Sequence, residues 1–584
     1  MQRYKLWTLI VLLGLLVTGS AAPAFANQQE VAREETLKFA IGGQITDPTN
    51  LNIYAPTGSS RSDTGLHQFV YEYFFYNNLQ TGEFIPWLAE SYEYSADNTS
   101  MSVKLRDGVT WSDGEPFTAD DVVFTYDLLA KNTGMGNSAE VTKAVKSVEK
   151  VDNLNVKINL VTANPRFHLN REAFPAVGIW GALTILPKHI WEKEADPLTF
   201  KNSDPVGTGP YRIKDANQNG VTLERRDDWW GTKAFEVTPA PTNIQFVYVG
   251  DEQNVALSLS SNDIDAAPIG ILSAGTFTQV TGQNPNVRAW TQDLPFAWAD
   301  PCPRGLMIQN DNPPFDKPEV RWAISHLIDR QAVVDLAYEG TTTPAWNIWP
   351  EYDGNKPYTD AITDLHEQYP VESYDPARAE ELLTSVGLTP SDITLRYVVD
   401  ADNVEEQKNS QVIADQLTAA GINVEVQPLT GNPNADARLK GDYDMAQQPF
   451  CPGYPVENLE LFHGKYYVPL GQNAPWFERN SFRYNNPEFD ALVDQMLALP
   501  PDATDQITPI FHDAMAIWFR DLPIIPLVQT PALVPFNSTY WQGWPTAEEP
   551  WNMPVTWWAT TELVVTGYPD PTTGEWVGGI KPAG

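Results

Sequence analysis

The chain is poor in cysteine: Cys302 and Cys451 are the only two among 584 residues. Two are too few for a zinc site without nearby histidines. The seven histidines (His67, His168, His189, His326, His366, His463, His512) form no HxxxH or HxH pair, so a preformed metal centre has no local support. In an oxidising compartment the two thiols are a candidate disulfide; in a cytosolic protein they read as unrelated. Cationic residues are scarce as well, 38 Lys and Arg against 75 Asp and Glu, a formal charge of −37. Such a surface repels nucleic acid and anionic lipid, and most of its carboxylates read as a solvated face. There is no G-x-S-x-G, no H-E-x-x-H and no Cys–His nucleophile signature. With so many carboxylates some pair always lies close, so a pair alone does not mark a glycosidase. Repeats and low-complexity linkers are missing too, which argues against a structural or adhesive exoprotein.

Long apolar runs are absent apart from Leu6–Val17, which follows Arg3 and Lys5 and precedes small residues ending Ala24-Phe25-Ala26. This reads as a secretory signal peptide, too short to span a bilayer core of ~30 Å as a helix. Cleavage after Ala26 leaves 584 − 26 = 558 residues, exported and soluble, with no cysteine nearby to carry a lipid anchor. That length predicts several domains with cores large enough to need no staples.

What is present is best read around Met101–Asn132. Met101, Val103 and Leu105 alternate with polar residues as in a half-buried strand. Asp107-Gly108 and Asp113-Gly114 are turns, with Val109–Trp111 a short returning strand between them. Thr118 stands at a helix N-cap, Asp120 and Asp121 fill the first turn, and Val122, Val123, Tyr126, Leu129 and Ala130 follow at helical spacing. No catalytic group is placed in this unit. Its Arg-Asp-Gly-Val, Trp-Ser-Asp-Gly and Phe-Thr-Ala-Asp-Asp-Val resemble the hallmark of the bacterial extracellular solute-binding proteins of family 5, the peptide- and nickel-type receptors of ABC importers.

Further segments, in the family's order from about residue 37 to about 560, carry the same resemblance. They include Pro86–Ser91 (PWLAES), Ile185–Trp191 (ILPKHIW), Pro205–Tyr211 (PVGTGPY), the Asn262–Ala267 turn and the helix VRWAISHLIDR. The Gly-x-Gly of Gly207 and Gly209 lacks the Lys-Ser/Thr that a phosphate loop needs. A strand is expected over 37–41 and an aromatic-rich helix over 64–77. Asp316 is read as the N-cap of a helix burying Val320, Ala323, Ile324, Leu327 and Ile328, with His326 structural. Strand 393–399, helix 404–420 and strand 422–429 form a β-α-β unit with a parallel pair.

The resemblance implies an α/β, two-lobed periplasmic-binding-protein-like fold with an extra inserted domain and a hinge between the lobes. The expected division is signal peptide 1–26; lobe 1 in three parts, 27–72, 204–300 and 541–584; inserted domain 73–203; lobe 2 301–540. Crossings between lobes are expected near 299–304 and 531–540. The implied function is capture of a polar solute, an oligopeptide by family default or an oligosaccharide, for delivery to ABC permease subunits. The chain would be a monomeric receptor without cofactor or metal, and no enzyme; a secreted hydrolase is the rival reading. In the oligopeptide branch cysteines at matching places imply a Cys302–Cys451 disulfide within lobe 2. There an Asp after the second cysteine pairs with the peptide's ammonium; here Phe450-Cys451-Pro452-Gly453-Tyr454 has glycine at that place. Position in the family makes Asn52, Tyr54, Trp298, Phe450 and Tyr454 the expected ligand contacts.

Overall fold

The computed structural model describes residues 32–58, 63–451, 453–554 and 558–584. The signal-peptide reading of 1–26, together with Pro452 and Trp557, lies outside them. Among the described residues no helix is long and apolar enough to cross a membrane.

Strand Thr36–Ala40 lies parallel to Asn243–Val247, which continues antiparallel into Gly220–Arg225 and Tyr211–Asn217 as a four-stranded sheet. A second four-stranded sheet is an antiparallel set ordered Ala89–Tyr94, Ser100–Leu105, Asn155–Leu160, Val145–Lys150. Its strands alternate as the sequence predicts: Met101, Val103 and Leu105 are buried while Ser102 and Lys104 are exposed. Both sheets feed one apolar core that runs from Leu37 to Ala266 and takes in residues between Phe536 and Ile580, such as Trp541 and Leu563, from the chain's end.

The hallmark unit locks distant segments together. Thr118 and Asp121 form a capping box on helix Ala119–Lys131. The other oxygen of Asp121 accepts from the Lys188 backbone N–H at 2.9 Å, and Thr125 Oγ1 accepts from Leu186 N–H at 2.9 Å. Ser112 N–H donates to Gly207 O at 2.8 Å. A Cβ on Gly207 would lie 1.9 Å from Val70 O, and one on Gly209 2.2 Å from Phe69 O. Close backbone packing, and not phosphate, accounts for that Gly-x-Gly. Arg226 closes the arrangement, donating to the carbonyls of Gly207, Thr208, Gly209 and Trp111.

A separate core, from Leu306 to Val528, fills lobe 2. Its five-stranded sheet is ordered Asn423–Leu429, Thr394–Asp400, Met445–Pro449, Trp298–Ile308, Ile524–Ala532. The expected β-α-β unit is there, with helix Val404–Ala419 joining the parallel pair of Thr394–Asp400 and Asn423–Leu429. The long antiparallel ribbon of Trp298–Ile308 and Ile524–Ala532 leads from this core toward lobe 1. Ala299 pairs with Pro531, and beyond it Phe536 joins the core of lobe 1.

Three local expectations need correction. Residues 64–77 are not a helix: a five-residue π turn, Leu66–Val70, gives way to strand Phe75–Asn78, held by Glu83–Pro86 on one side and Ala176–Val177 on the other. Its side chains are buried on both faces, so tertiary packing overrides the helical spacing. Val109–Trp111 contributes only an isolated bridge, Thr110 to Pro116. The helix Pro318–His326 is preceded by Lys317 at its N-cap, so Asp316 stands one residue too early to cap it. The predicted apolar face is buried all the same, and His326 Nδ1 pairs with the Ser373 carbonyl at 2.9 Å.

Candidate functional site

Between the two large cores lies a smaller aromatic seam. Trp298 begins the crossing ribbon; its ring stacks on Tyr352 of lobe 2, with centroids 5.3 Å apart and planes at 16°. Trp558 from the chain's last part meets Trp298 edge-on at 5.0 Å. Leu79, Ile179 and Met553 complete the buried cluster, with Trp180, Trp290 and Tyr454 packed at its edges. Segments far apart in sequence therefore converge on one place. Three polar contacts tie the same faces: Asn77 donates to the Tyr454 hydroxyl, Gly354 N–H to Gln80 O at 2.8 Å, and Arg166 pairs with Glu457 at 2.6 Å. Gly354 has no room for a side chain, since a Cβ would sit 2.9 Å from Gly82 N.

On the lobe 2 side, Cys302 of the Trp298–Ile308 strand forms a disulfide with Cys451, their Cα atoms 4.4 Å apart. Each cysteine N–H is held by a carboxylate: Cys302 by Asp300 Oδ1 at 2.9 Å and Cys451 by Glu478 Oε2 at 3.3 Å. Burial pushes Asp300 up to about 6 and Glu478 up to about 7. Gly453 takes φ +80°, a region that L side chains rarely adopt, and its carbonyl accepts from Asn355 Nδ2 at 3.0 Å. The backbone here favours glycine.

The five expected contacts divide. Trp298 and Tyr454 belong to the seam. Phe450 lies behind it: the ring is fully buried in the lobe 2 core, stacked on Phe462 at 6.0 Å and pressed on Gly305. Asn52 and Tyr54 are committed to structure. Asn52 Nδ2 donates to Pro197 O and Phe200 O, its Oδ1 accepts from Tyr54 N and Ala55 N, and the Tyr54 hydroxyl exchanges two bonds with the Thr184 backbone. The sequence reading did not name Tyr352, Trp180, Asp300 or Glu478, which lie in the seam or beside the disulfide. No local pattern marks any of them. Among the described residues no group of three or more His, Cys, Asp or Glu side chains is arranged to hold a metal.

Two lobes, a two-stranded crossing and an aromatic seam between them define a bilobal binding protein. The family model for bacterial extracellular solute-binding proteins, family 5 (middle region), matches residues 83–461, and the chain belongs to that family. The glutathione-binding protein GsiB of Pectobacterium atrosepticum is 28% identical over 531 residues, which cover 90% of this chain and 94% of GsiB. A periplasmic oligopeptide-binding protein of Thermotoga maritima has the same fold, with a TM-score of 0.78 at 24% identity over 94% of this chain and all of that one. Its mannohexaose-bound form gives a TM-score of 0.71 over 94% and 99% of the two chains, again at 24% identity.

Proposed function

We propose that the chain is an exported, extracytoplasmic receptor that captures a short peptide in the seam between its lobes and delivers it to the permease subunits of an ABC-type importer. The lobes are taken to divide at the boundaries expected from the sequence, with 73–203 inserted in lobe 1. The observation that carries the reading is the seam itself, where Trp298, Tyr352 and Tyr454 face Trp558 across two separately packed cores. Closure of one lobe on the other suits such an arrangement, and periplasmic binding proteins are the standing example of hinge closure around a ligand. Relatives named for glutathione and oligopeptide binding support peptide. A ligand shifts the open–closed balance only by its preference for the closed form.

Oligosaccharide is the second reading, supported by the mannohexaose-bound Thermotoga maritima protein of the same fold; flat aromatic faces suit sugar rings as well as peptide side chains. Gly453 adds weight, because a buried ammonium closed in without its usual carboxylate would cost several kcal/mol. A thermal-shift screen of the exported chain against short peptides and α- and β-linked oligosaccharides separates the readings. Ligand at 100 times Kd adds ~2.7 kcal/mol of stability. Stabilisation by peptides supports the first reading and by saccharides the second; no stabilisation by either class overturns both.

A further inference from the structure

Beside the seam, between the 73–203 segment and lobe 2, lies a cavity of about 490 Å³. That volume falls within the ~300–1,000 Å³ typical of small-molecule sites. One wall presents the rings of Phe84, Tyr92, Tyr94 and His168. The facing wall presents Tyr358 and Tyr454, with Asp502 at the rim. Tyr454 also packs against the aromatic seam, so one ring both lines the cavity and touches the seam.

The charges in the cavity are already matched. Arg166, with 7% of its side chain exposed, is bound by Glu457 at 2.6 Å and donates to the Leu499 carbonyl at 3.3 Å. It is the sole cation among the described lining residues, and it is spent. His168 adds none: burial first, and Arg166 second, push its imidazole down to about 4. Its Nδ1 pairs with the Tyr94 hydroxyl at 2.9 Å, and its ring stacks on Tyr92 at 5.0 Å and 27°. An anionic group entering here finds no unengaged cation among the described lining residues, and the one carboxylate not engaged by Arg166 stands out at the rim. The walls offer ring faces, the surroundings that suit an uncharged ring.

We propose that this cavity is a second compartment of the ligand site, reached past Tyr454, that receives an uncharged ring group of the captured solute. The ring comes either from an aromatic side chain of a peptide or from a sugar unit, and the compartment reads what the two share. The inference rests on the receptor reading above and deepens it. Because its walls come from both sides of the seam, a ring seated here bridges the lobes and favours their closed arrangement.

The test is calorimetric titration of the exported chain and of Asp502→Trp, which plugs the rim, with Ala-Ala-Ala, Ala-Ala-Phe and cellotriose. Tyr92→Leu, which removes a wall, is the second variant, and melting curves establish that each variant folds; should Asp502→Trp fail to fold, Tyr92→Leu decides. The expected result is that a ring-bearing probe binds the unaltered chain and loses about tenfold or more in affinity in the variants, its advantage over Ala-Ala-Ala collapsing with it. Sensitivity of Ala-Ala-Phe assigns the ring to a peptide, and sensitivity of cellotriose to a sugar. Unchanged affinity of the ring-bearing probe in a folded variant overturns the compartment and leaves the receptor standing. No binding of any of the three probes to the unaltered chain overturns both.

Discussion

Both lobes bury ion pairs, Arg33 with Asp265 at 2.8 Å in lobe 1 among them, but lobe 1 also holds a different arrangement. Lobe 2 buries pairs: Arg438 meets Glu406 at 2.5 Å with both side chains at 7% exposure or less, and Arg304 grips Glu405 through two bonds of 2.7 and 2.9 Å. Burial works against the Glu405 carboxylate, but the adjacent Arg304 holds it below the usual carboxylate range. Lobe 1 buries two carboxyls against each other, with no cation hydrogen-bonded to either. Glu72 accepts from three indoles, Trp87 at 2.8 Å, Trp229 at 3.1 Å and Trp230 at 2.8 Å, and Glu562 accepts from the Tyr76 hydroxyl at 2.9 Å. Glu562 Oε1 is buried with no partner if both groups are ionised, yet it faces Glu72. A proton held between the carboxyls supplies the missing bond, and two like charges in one dry site cannot both persist. Lobe 2 is also stapled by its disulfide, whereas lobe 1 has none among the described residues.

Breaking a buried pair in lobe 2 has the largest expected effect. Arg438→Ala leaves Glu406 buried and unmatched, an expected loss of ~3–5 kcal/mol in urea unfolding. The double change Arg438→Met, Glu406→Met should recover most of it, because the desolvation of both charges disappears together. If the double variant is as unstable as the single one, the pair is not what the first change broke. Reducing the Cys302–Cys451 bond, which closes a sequence separation of 149 residues, should cost 2–4 kcal/mol, against ~5 in the chain-entropy limit. The loss should fall on lobe 2, so hydrogen exchange should rise in Trp298–Ile308 before it rises in Thr36–Ala40. Equal acceleration in both strands would show that the lobes unfold as one unit.

Most of lobe 2 was legible because its signals are local. Asp375 caps its helix through Arg378 N–H, Asn403 caps the β-α-β helix, and Gly421 ends it at φ +95°. Lobe 1 was legible chiefly through motifs, whose residues bind one another across long separations, as Asp121 does Lys188. Where no motif speaks, long-range burial decides: the strand at Phe75–Asn78 exists because partners from both directions cover it. The site divides in the same way. Trp298 was expected from its position in the family, whereas Tyr352 and Trp558 meet it only once both lobes have folded. The Glu72–Glu562 contact, 562 − 72 = 490 residues apart, is invisible to any local pattern.

The smallest expected effect is also the sharpest test of the contrast. Burial raises Glu72, and burial with the neighbouring Glu72 carboxyl raises Glu562 well above its usual value. A carboxyl raised in the folded state contributes stability that is complete below its unfolded pKa of ~4.3 and is lost as pH rises through the folded value. Within that window unfolding free energy should fall by roughly 1.4 kcal/mol per pH unit for each proton the pair retains. Glu562→Gln keeps the shape, still accepts from Tyr76 and offers Glu72 a permanent amide N–H. It should change stability little near pH 5, and above that it should flatten the decline. The measurement is urea unfolding of both proteins from pH 5 to pH 9, read as the difference between them so that Asp300, Glu478 and the other raised groups cancel. A constant difference across the range would mean that the pair holds no proton, and that lobe 1 tolerates its buried carboxylates through the indole and phenol hydrogen bonds alone.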